Sequence, residues 1–525
     1  MATHPVPLRM HPFLTEPEGR PMVKQPRFSL RAPLTSWPLL IELKRDSGDP
    51  LYLQIVRAVG EGIRKGRMRP GEALPGTRAL AESLGVNRTT TIAAYRELEA
   101  EGWIVSRPDR GTFVADSPPL PATEEASIAV VDSGSWTSGA PSTEPFFQPQ
   151  SVGYEGFRLI PDLPDVRLAP TTAIHRAHGR VLNRQRQRFL QPGWDPRGLL
   201  DLRASLCQML RDLRGLAVDP GNMVLTRGLM STLNLVSRAL FAPGDAVVVE
   251  DPGHFRVVEA FRGAGARLFP IAIDEQGMRA DALEALLARE PIKLIHLTTC
   301  PQYPTHRIMG MERRQRLLAL AEAAGARILE GDFAFGFHRE NDPLLPLASQ
   351  DTKGTVVYFS ALDQVLAPGL QVGFMVGEAS IVKALAKQRQ LIDWPGNPVG
   401  EATIEELFRD DEIRRHLGRL RRVTEERRES MVDRLQLHLG DLLEVENPHQ
   451  GLAIWAKIQQ ADFPVEEWVQ RCAAKGVVFF PGRLYDFHRR PLQAICLGPA
   501  AHGVADQNEA CERMAQALQE MRKRA

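Results

Sequence analysis

The run Asn87-Arg88-Thr89-Thr90-Thr91 brings a guanidinium, hydroxyls and methyl groups together at what the flanking pattern makes the first turn of a helix. Arginine pairs bidentately with guanine, and threonine offers a hydroxyl or a methyl to a base edge. The free amides and dipole of a helix N-terminus suit a phosphate. Arg78 opens the preceding helix after Pro75-Gly76-Thr77, near where a nucleic-acid backbone would run. Arg107 and Arg110 flank or sit in the turn Pro108-Asp109-Arg110-Gly111, from which a wing reaches a minor groove. Read by charge alone, the same residues also fit the solvated basic face of a small three-helix bundle. Other chemistries are poorly served. Cys207, Cys300, Cys472, Cys496 and Cys511 form no CxxC pair, and their scatter reads as reduced thiols. His175 and His178 are three apart on an expected helix, but no Cys or carboxylate of matching spacing joins them. They read as a solvated helix face, and no metal site is expected.

The elements that must hold the basic run can be read from periodicity. After Pro50, Ile55, Val59 and Ile63 recur every four residues, one face of an amphipathic helix that Gly66 ends. Pro70-Gly71 turns the chain, and Thr77 is expected to cap a short helix carrying Leu80, Ala81 and Leu84, stopped by Gly85. Asn87 caps a third helix with the stripe Ile92, Tyr95 and Leu98, stopped by Gly102. Two β-like runs follow, at 103–107 and 112–114. Residues 51–116 carry ten Lys or Arg and eight Asp or Glu, 10 − 8 = +2. The acids Glu97, Glu99 and Glu101 lie at the far end of the third helix, which polarises the unit.

Around this unit, assigned to residues 46–116, the organisation is coarser. Residues 1–45 form a proline-rich N-terminal arm with a helical lead-in expected at 39–44. Residues 117–152, rich in Pro, Ser, Thr and Gly, are a linker. Residues 153–525 alternate strand-like and helical runs, with strands expected at 222–226, 245–250, 267–273, 293–297, 327–329 and 355–359. That alternation implies a mostly parallel sheet with helices on both faces. A smaller C-terminal α+β lobe is expected from about residue 412. The arginines from Arg414-Arg415-His416 to Arg427-Arg428 read as a solvated lobe helix. There is no internal repeat.

The chain has 525 residues, with 43% hydrophobic and 25% charged, ordinary usage for a multidomain globular protein. Its 65 Lys and Arg against 64 Asp and Glu leave a net charge of +1, so nucleic-acid contact must come from a local patch. No stretch is long and apolar enough for a membrane span or a signal peptide, which predicts a cytoplasmic protein with no membrane partner.

Residues 51–116 resemble the winged helix–turn–helix of the GntR family. The likeness is carried by the LYxQI opening, the RPGxxLPxTRxLAxxLGVxRxT core, the AYxxLExEG helix and the GTFV wing. The resemblance implies binding to double-stranded operator DNA as a dimer, with Arg78, Arg88, Thr89, Thr90, Arg110 and Gly111 at the DNA-contact positions. The remainder, from about Phe157 to Glu520, resembles fold-type I aminotransferases in the arrangement of MocR-type regulators. WDPRGLLDLRASL, ALFAPGDAVVVEDPGHFRVVEAFRGAGARLFPIAIDEQGM, PQYPTHRIMGMERRQRLLALA, ILEGDFAFGF, LAPGLQVGF and FFPGRLYDF follow in the family's order. The implied architecture is a small α+β head joined to a large α/β aminotransferase-like domain. A head-to-tail homodimer is implied, with the head of one chain over the large domain of the other.

A pyridoxal-phosphate enzyme needs a lysine for the Schiff base, an acid for the pyridine nitrogen, and cationic or hydroxyl groups for the phosphate. Here the family's SKxLxPxLRxGY segment reads LDQVLAPGLQVGF. The lysine falls on Gln364, whose amide cannot form the imine, and the phosphate-contacting arginine falls on Gln371. The family EDDY reads Glu330-Gly331-Asp332-Phe333, so the pyridine-facing acid falls on Gly331 unless a one-residue shift uses Asp332. The phosphate-side Ser-Gln reads Leu229-Met230, and the arginine for a substrate carboxylate falls on Cys496. His254 takes the ring-stacking position, and Tyr303 is retained. Lys293, Lys353, Lys383, Lys387, Lys457 and Lys475 are the remaining candidates; Lys353 precedes its strand at the wrong end and belongs on the surface. No covalently held cofactor is therefore expected, while non-covalent pyridoxal phosphate stays open. The expected function is a DNA-binding transcriptional regulator with a non-catalytic domain that senses a ligand and dimerises. Its effector pocket would be lined by His254, Tyr303, Asp332, Gln364 and Gln371, for a neutral or weakly charged small molecule. Two alternatives stay open: a regulator with residual aminotransferase activity, and a domain that only dimerises and recruits a partner.

Overall fold

The computed structural model describes residues 41–45, 48–108, 110–119, 156–184, 195–338, 344–394, 396–448 and 450–523. Most of the expected arm and linker lie outside these residues. The chain divides into two compact units, residues 1–139 and 140–525.

In the first unit, α1 (Leu51–Arg64), α2 (Thr77–Leu84) and α3 (Arg88–Ala100) precede a hairpin of β1 (Ile104–Arg107) and β2 (Gly111–Val114). The four-residue stripe of α1 is buried, and Ile55, Val59 and Ile63 pack with Leu80, Tyr95, Leu98, Trp103 and Val114. Two local expectations differ. Residues 41–44 form no helix. The Gln54 amide takes both the Lys44 N–H and the Lys44 carbonyl, at 2.9 and 3.0 Å, so the main chain there is satisfied by a side chain. Thr77 is the first residue of α2 rather than its cap, which is Gly76. The helix stops are as the glycines suggest, with Gly85 left-handed at φ +61°.

The second unit opens with β3 (Phe157–Arg158), α4 (Thr171–Arg184) and α5 (Leu200–Arg214). It continues through β4 (Met223–Thr226), α6 (Gly228–Ala239), β5 (Ala246–Asp251), α7 (Phe255–Gly263), β6 (Arg267–Asp274), β7 (Gly277–Met278) and α8 (Ala280–Leu287). Next come β8 (Ile292–Leu297), α9 (Met311–Ala324), β9 (Arg327–Gly331), β10 (Val356–Ala361), β11 (Gly373–Val376), α10 (Ala379–Ile392) and α11 (Pro398–Arg409). These strands form one sheet in the order β4-β11-β10-β9-β8-β5-β6-β7. The run β10-β9-β8-β5-β6 is parallel; β11 is antiparallel to both neighbours, and β7 returns on β6. Successive strand residues point to opposite faces. Accordingly Val247 and Val249 pack under α6, α7 and α10, while Ala246 and Val248 pack under α8 and α9. The six expected strands all occur, each within a few residues.

The chain ends with α12 (Glu412–Leu439), β12 (Leu443–Val445), β13 (Ile454–Ile458), α13 (Val465–Ala474), β14 (Val477–Val478), β15 (Phe480–Pro481), β16 (Ala494–Leu497) and α14 (Val504–Arg522). Four of these strands form an antiparallel sheet, β12-β13-β16-β15. The fifth, β14, pairs with β3 from the start of the unit, a pairing no local pattern announced. The arginine-rich helix is not simply solvated. His416 and Arg428 are buried, and Arg427 reaches Asp165 at 3.0 Å. Among the described residues no helix is long and apolar enough to cross a membrane.

One buried acid inside the sheet makes stability depend on pH. Glu250, at the end of β5, accepts from the Thr298 N–H at 3.1 Å and its hydroxyl at 2.8 Å. Burial pushes its carboxyl up to about 8. Its folded value lies above its unfolded one, so the folded state holds a proton the unfolded state releases, and stability falls as pH rises towards 8. Each pH unit in that window removes about 1.4 kcal/mol at most. Glu250→Gln, which keeps the shape and cannot ionise, should gain stability relative to the parent between pH 5 and 8 in urea titrations. A pH-independent difference would show that Glu250 is already ionised.

Candidate nucleic-acid interface and ligand pocket

In the first unit the basic run sits where its composition suggests. Asn87 caps α3, and its side chain accepts from the Thr89 N–H at 3.0 Å and hydroxyl at 2.9 Å. Arg88 and Thr89 are exposed, Thr90 is half-buried, and Thr91 is buried with its hydroxyl on the carbonyls of Thr77 and Arg88. That last pair ties the start of α3 to α2. Exposed Arg78 lies at the start of α2 and pairs loosely with Glu82 at 3.3 Å. At the hairpin tip Arg110 is exposed and Gly111 takes φ +102°, a backbone conformation L side chains resist. Arg107 instead turns to Asp116, at 3.3 Å, and over the Phe113 ring. The acids at the far end of α3 have structural work: Glu99 accepts the Ser106 N–H, and Glu101 the Trp103 indole N–H, each at 2.9 Å.

In the second unit a cavity of about 510 Å³ opens at the C-terminal edge of the parallel strands. Such edges are where open α/β sheets hold ligands. His254, Tyr303, Asp332, Gln364 and Gln371 all line it. His254 caps α7, its Nδ1 accepting the Arg256 N–H at 3.2 Å. Its ring stacks on Tyr303 at 4.8 Å and 23° and lies 4.6 Å from Phe333. Burial drives its basicity well down. The Tyr303 hydroxyl and the Gln364 amide both donate to the carboxyl of Asp162, which burial raises to about 6. Gln371 is exposed, at φ +51°.

Asp332 contributes less than its position implies. Residues 330 and 332 share one face of the strand line, and 331 and 333 the other. The Asp332 carboxylate therefore turns to a buried cluster, accepting from Arg214 Nε at 2.8 Å and the Tyr358 hydroxyl at 2.7 Å. His338 stands 3.5 Å away. Against its burial, the Arg214 charge holds Asp332 below the usual carboxylate range. The one-residue shift that would bring Asp332 to a pyridine nitrogen is thus not made. At Gly331 there is no room for an acid: a Cβ would lie 2.9 Å from Phe359 Cζ and 3.0 Å from Phe333 Cε2.

Sequence reasoning missed three residues here. Asp363 lies over the first residue of α6, and a Cβ on Gly228 would fall 2.1 Å from its Oδ2. It accepts the Val372 N–H at 3.2 Å, and burial raises it to about 6. It stands at the serine of the SK pair, one residue before Gln364, so the signal was present. Asp162 precedes every motif and had none. Arg227, also at the cavity, is held by Asp393 at 2.5 Å.

Pyridoxal phosphate can be tested against these walls. No lysine is among the described lining residues, and Gln364, at the position the resemblance gives to the amine, lines the cavity. Phenyl rings fill the place of the pyridine-facing acid. Asp363 and the apolar Leu229 and Met230 line the end where the resemblance would place the phosphate. An unpaired dianion there would lose its hydration without compensation. The residues present do not fit the covalently bound cofactor. Lys353 lies on the surface, paired with Glu322 at 2.7 Å, and His178 bonds Thr403 at 3.1 Å. Among the described residues no group of three metal-ligating side chains occurs.

Residues 51–114 match the gntR family of bacterial regulatory proteins, and residues 167–514 match aminotransferase class I and II. Over 471 residues the chain is 27% identical to the probable rhizopine catabolism regulatory protein MocR of Rhizobium meliloti, covering 88% of this chain and 92% of that one. It is 29% identical over 482 residues to the HTH-type transcriptional regulator TauR of Rhodobacter capsulatus, covering 87% and 95%. Among solved structures it resembles an archaeal alanine:glyoxylate aminotransferase, with 26% identity, a TM-score of 0.65, and coverage of 71% of this chain and 92% of that one.

The Asp332–Arg214 pair carries a consequence for stability. Removing one partner of a buried pair strands the other charge, at a cost of about 3–5 kcal/mol. Arg214→Met should lower the denaturation free energy of the large unit by that order. An unchanged denaturation curve would mean that the pair is solvated.

Proposed function

Because this chain belongs to the aminotransferase class I and II family and carries a gntR-family regulatory domain, it is a DNA-binding transcriptional regulator, and we propose that its large domain senses a ligand and dimerises without forming a Schiff base. The observation that carries the proposal is the lining of the cavity, where an amide replaces the amine and a carboxylate faces the phosphate end. The names of the relatives support the regulatory reading, and the family's shared shape supports a homodimer, which we propose is head-to-tail. A ligand that binds one arrangement of the large domains better than another shifts the population towards it. The spacing of the two heads, and so the fit to operator half-sites, shifts with it. The second reading, residual aminotransferase activity through a lysine elsewhere, draws support from family membership and the retained Tyr303. Titration of the full chain with pyridoxal phosphate separates the two: no imine absorbance band is expected, and a saturable one would favour the enzyme.

At the DNA, Arg88 is proposed to read a base edge, with Thr89 and Thr90 beside it, while Arg78, Arg110 and Gly111 meet the backbone or minor groove. Arg88→Ala should cost about 1–3 kcal/mol of discrimination between operator and mismatched duplex. Arg78→Ala should weaken both duplexes alike and lessen the salt dependence. Fluorescence anisotropy at two salt concentrations checks both; unchanged discrimination in Arg88→Ala would remove it from the reading position.

A further inference from the structure

The cavity has carboxyl groups at the two ends where an anionic ligand would need cations. At one end Asp363 lies over the start of α6, beside Leu229 and Met230. At the other, Asp162 is bonded by Tyr303 and Gln364, neutral groups both, and lies near the buried thiol of Cys496. Cys496 is the position where the resemblance placed an arginine for a substrate carboxylate. The buried Tyr485 lies beside Tyr303, ring centroids 6.0 Å apart, with its hydroxyl towards the Cys496 thiol. Between the ends stand the rings of His254, Tyr303, Phe333 and Phe359. Two arginines also reach the cavity: Arg227 is engaged by Asp393, and Arg256 lies over the Phe255 ring at 5.5 Å, its charge acting on Asp162.

We propose that this cavity binds a small organic ammonium ion, its charge taken by Asp162 or Asp363 and its carbon frame by the aromatic wall. Resting on the ligand-sensing reading above, the proposal adds the polarity of the ligand. Half-buried Asp363 is desolvated with only the Val372 N–H to offset it, and an ammonium ion relieves that cost; at Asp162 it would add to the charge of Arg256. Aromatic faces stabilise the same charge from the side. A cavity of about 510 Å³ falls in the range for small ligands. An anion would meet two carboxyl groups, and a neutral molecule would leave Asp363 uncompensated.

The test is calorimetric titration of the full chain at neutral pH with benzylammonium, benzyl alcohol and benzoate. Benzylammonium should bind saturably, at least tenfold tighter than benzyl alcohol, with benzoate weakest. Asp162→Asn or Asp363→Asn should weaken benzylammonium at least tenfold, and each variant is checked for an unchanged thermal melt. Should one variant fail to fold, the other and the three-ligand comparison still decide. No binding of benzylammonium, equal binding of the alcohol, or full affinity in both variants would overturn the proposal. Tighter binding of benzoate would overturn it while leaving a ligand-sensing domain in place. An imine with pyridoxal phosphate would instead overturn the reading on which it rests.

Discussion

A helix N-terminus at the C-terminal edge of a parallel sheet presents unpaired amides and partial positive charge, and something must answer it. Here the chain's own Asp363 lies over the first residue of α6, while its hydrogen bond comes from the Val372 N–H. The parallel strands β10, β9, β8 and β5 bring their following loops to this same edge, so His254, Tyr303, Phe333 and Gln364 converge beside it. Asp363 puts a carboxyl group at the edge where the resemblance would place a phosphate. At position 371, where the resemblance would place an arginine, stands an exposed glutamine. At Gly331 the space for a larger side chain is taken by Phe333 and Phe359.

The scaffold beneath this edge has kept its shape by other means. Asp332, one residue beyond Gly331, is buried against Arg214, Tyr358 and His338. That cluster ties the end of α5 to β9 and β10 on the face opposite Gly331. Such a pair is costly to break even where it adds little net stability. The head unit follows a similar economy of fixed contacts. Asn87 and Thr91 hold the start of α3, leaving Arg88 free to face outward.

What could be read in advance divides along physical lines. Strands and helices of the large unit were readable because fully buried β-branched runs, such as Ala246–Asp251, alternate with amphipathic helices. Gln364 and Gln371 were readable because they stand at fixed spacing from Pro368. The orientation of Asp332 was readable in principle from strand alternation, which places it opposite Gly331. Asp162 was not, because it reaches the cavity through long-range packing of a loop that carries no pattern. The absence of a helix at 41–44 depended on the Gln54 side chain, ten residues away from Lys44. The arginines of α12 resembled a solvated face because their partners, Asp165 among them, come from distant segments.

Whether Asp363 bars a phosphate from the start of α6 is tested most directly by restoration. Gln364→Lys supplies the missing amine with Asp363 in place; Asp363→Ser, Gln364→Lys supplies the amine and clears the carboxylate. Both are mixed with pyridoxal phosphate and read by imine absorbance. The account predicts no imine band for the single variant and a saturable band for the double one. A band of equal strength and affinity in both would contradict it.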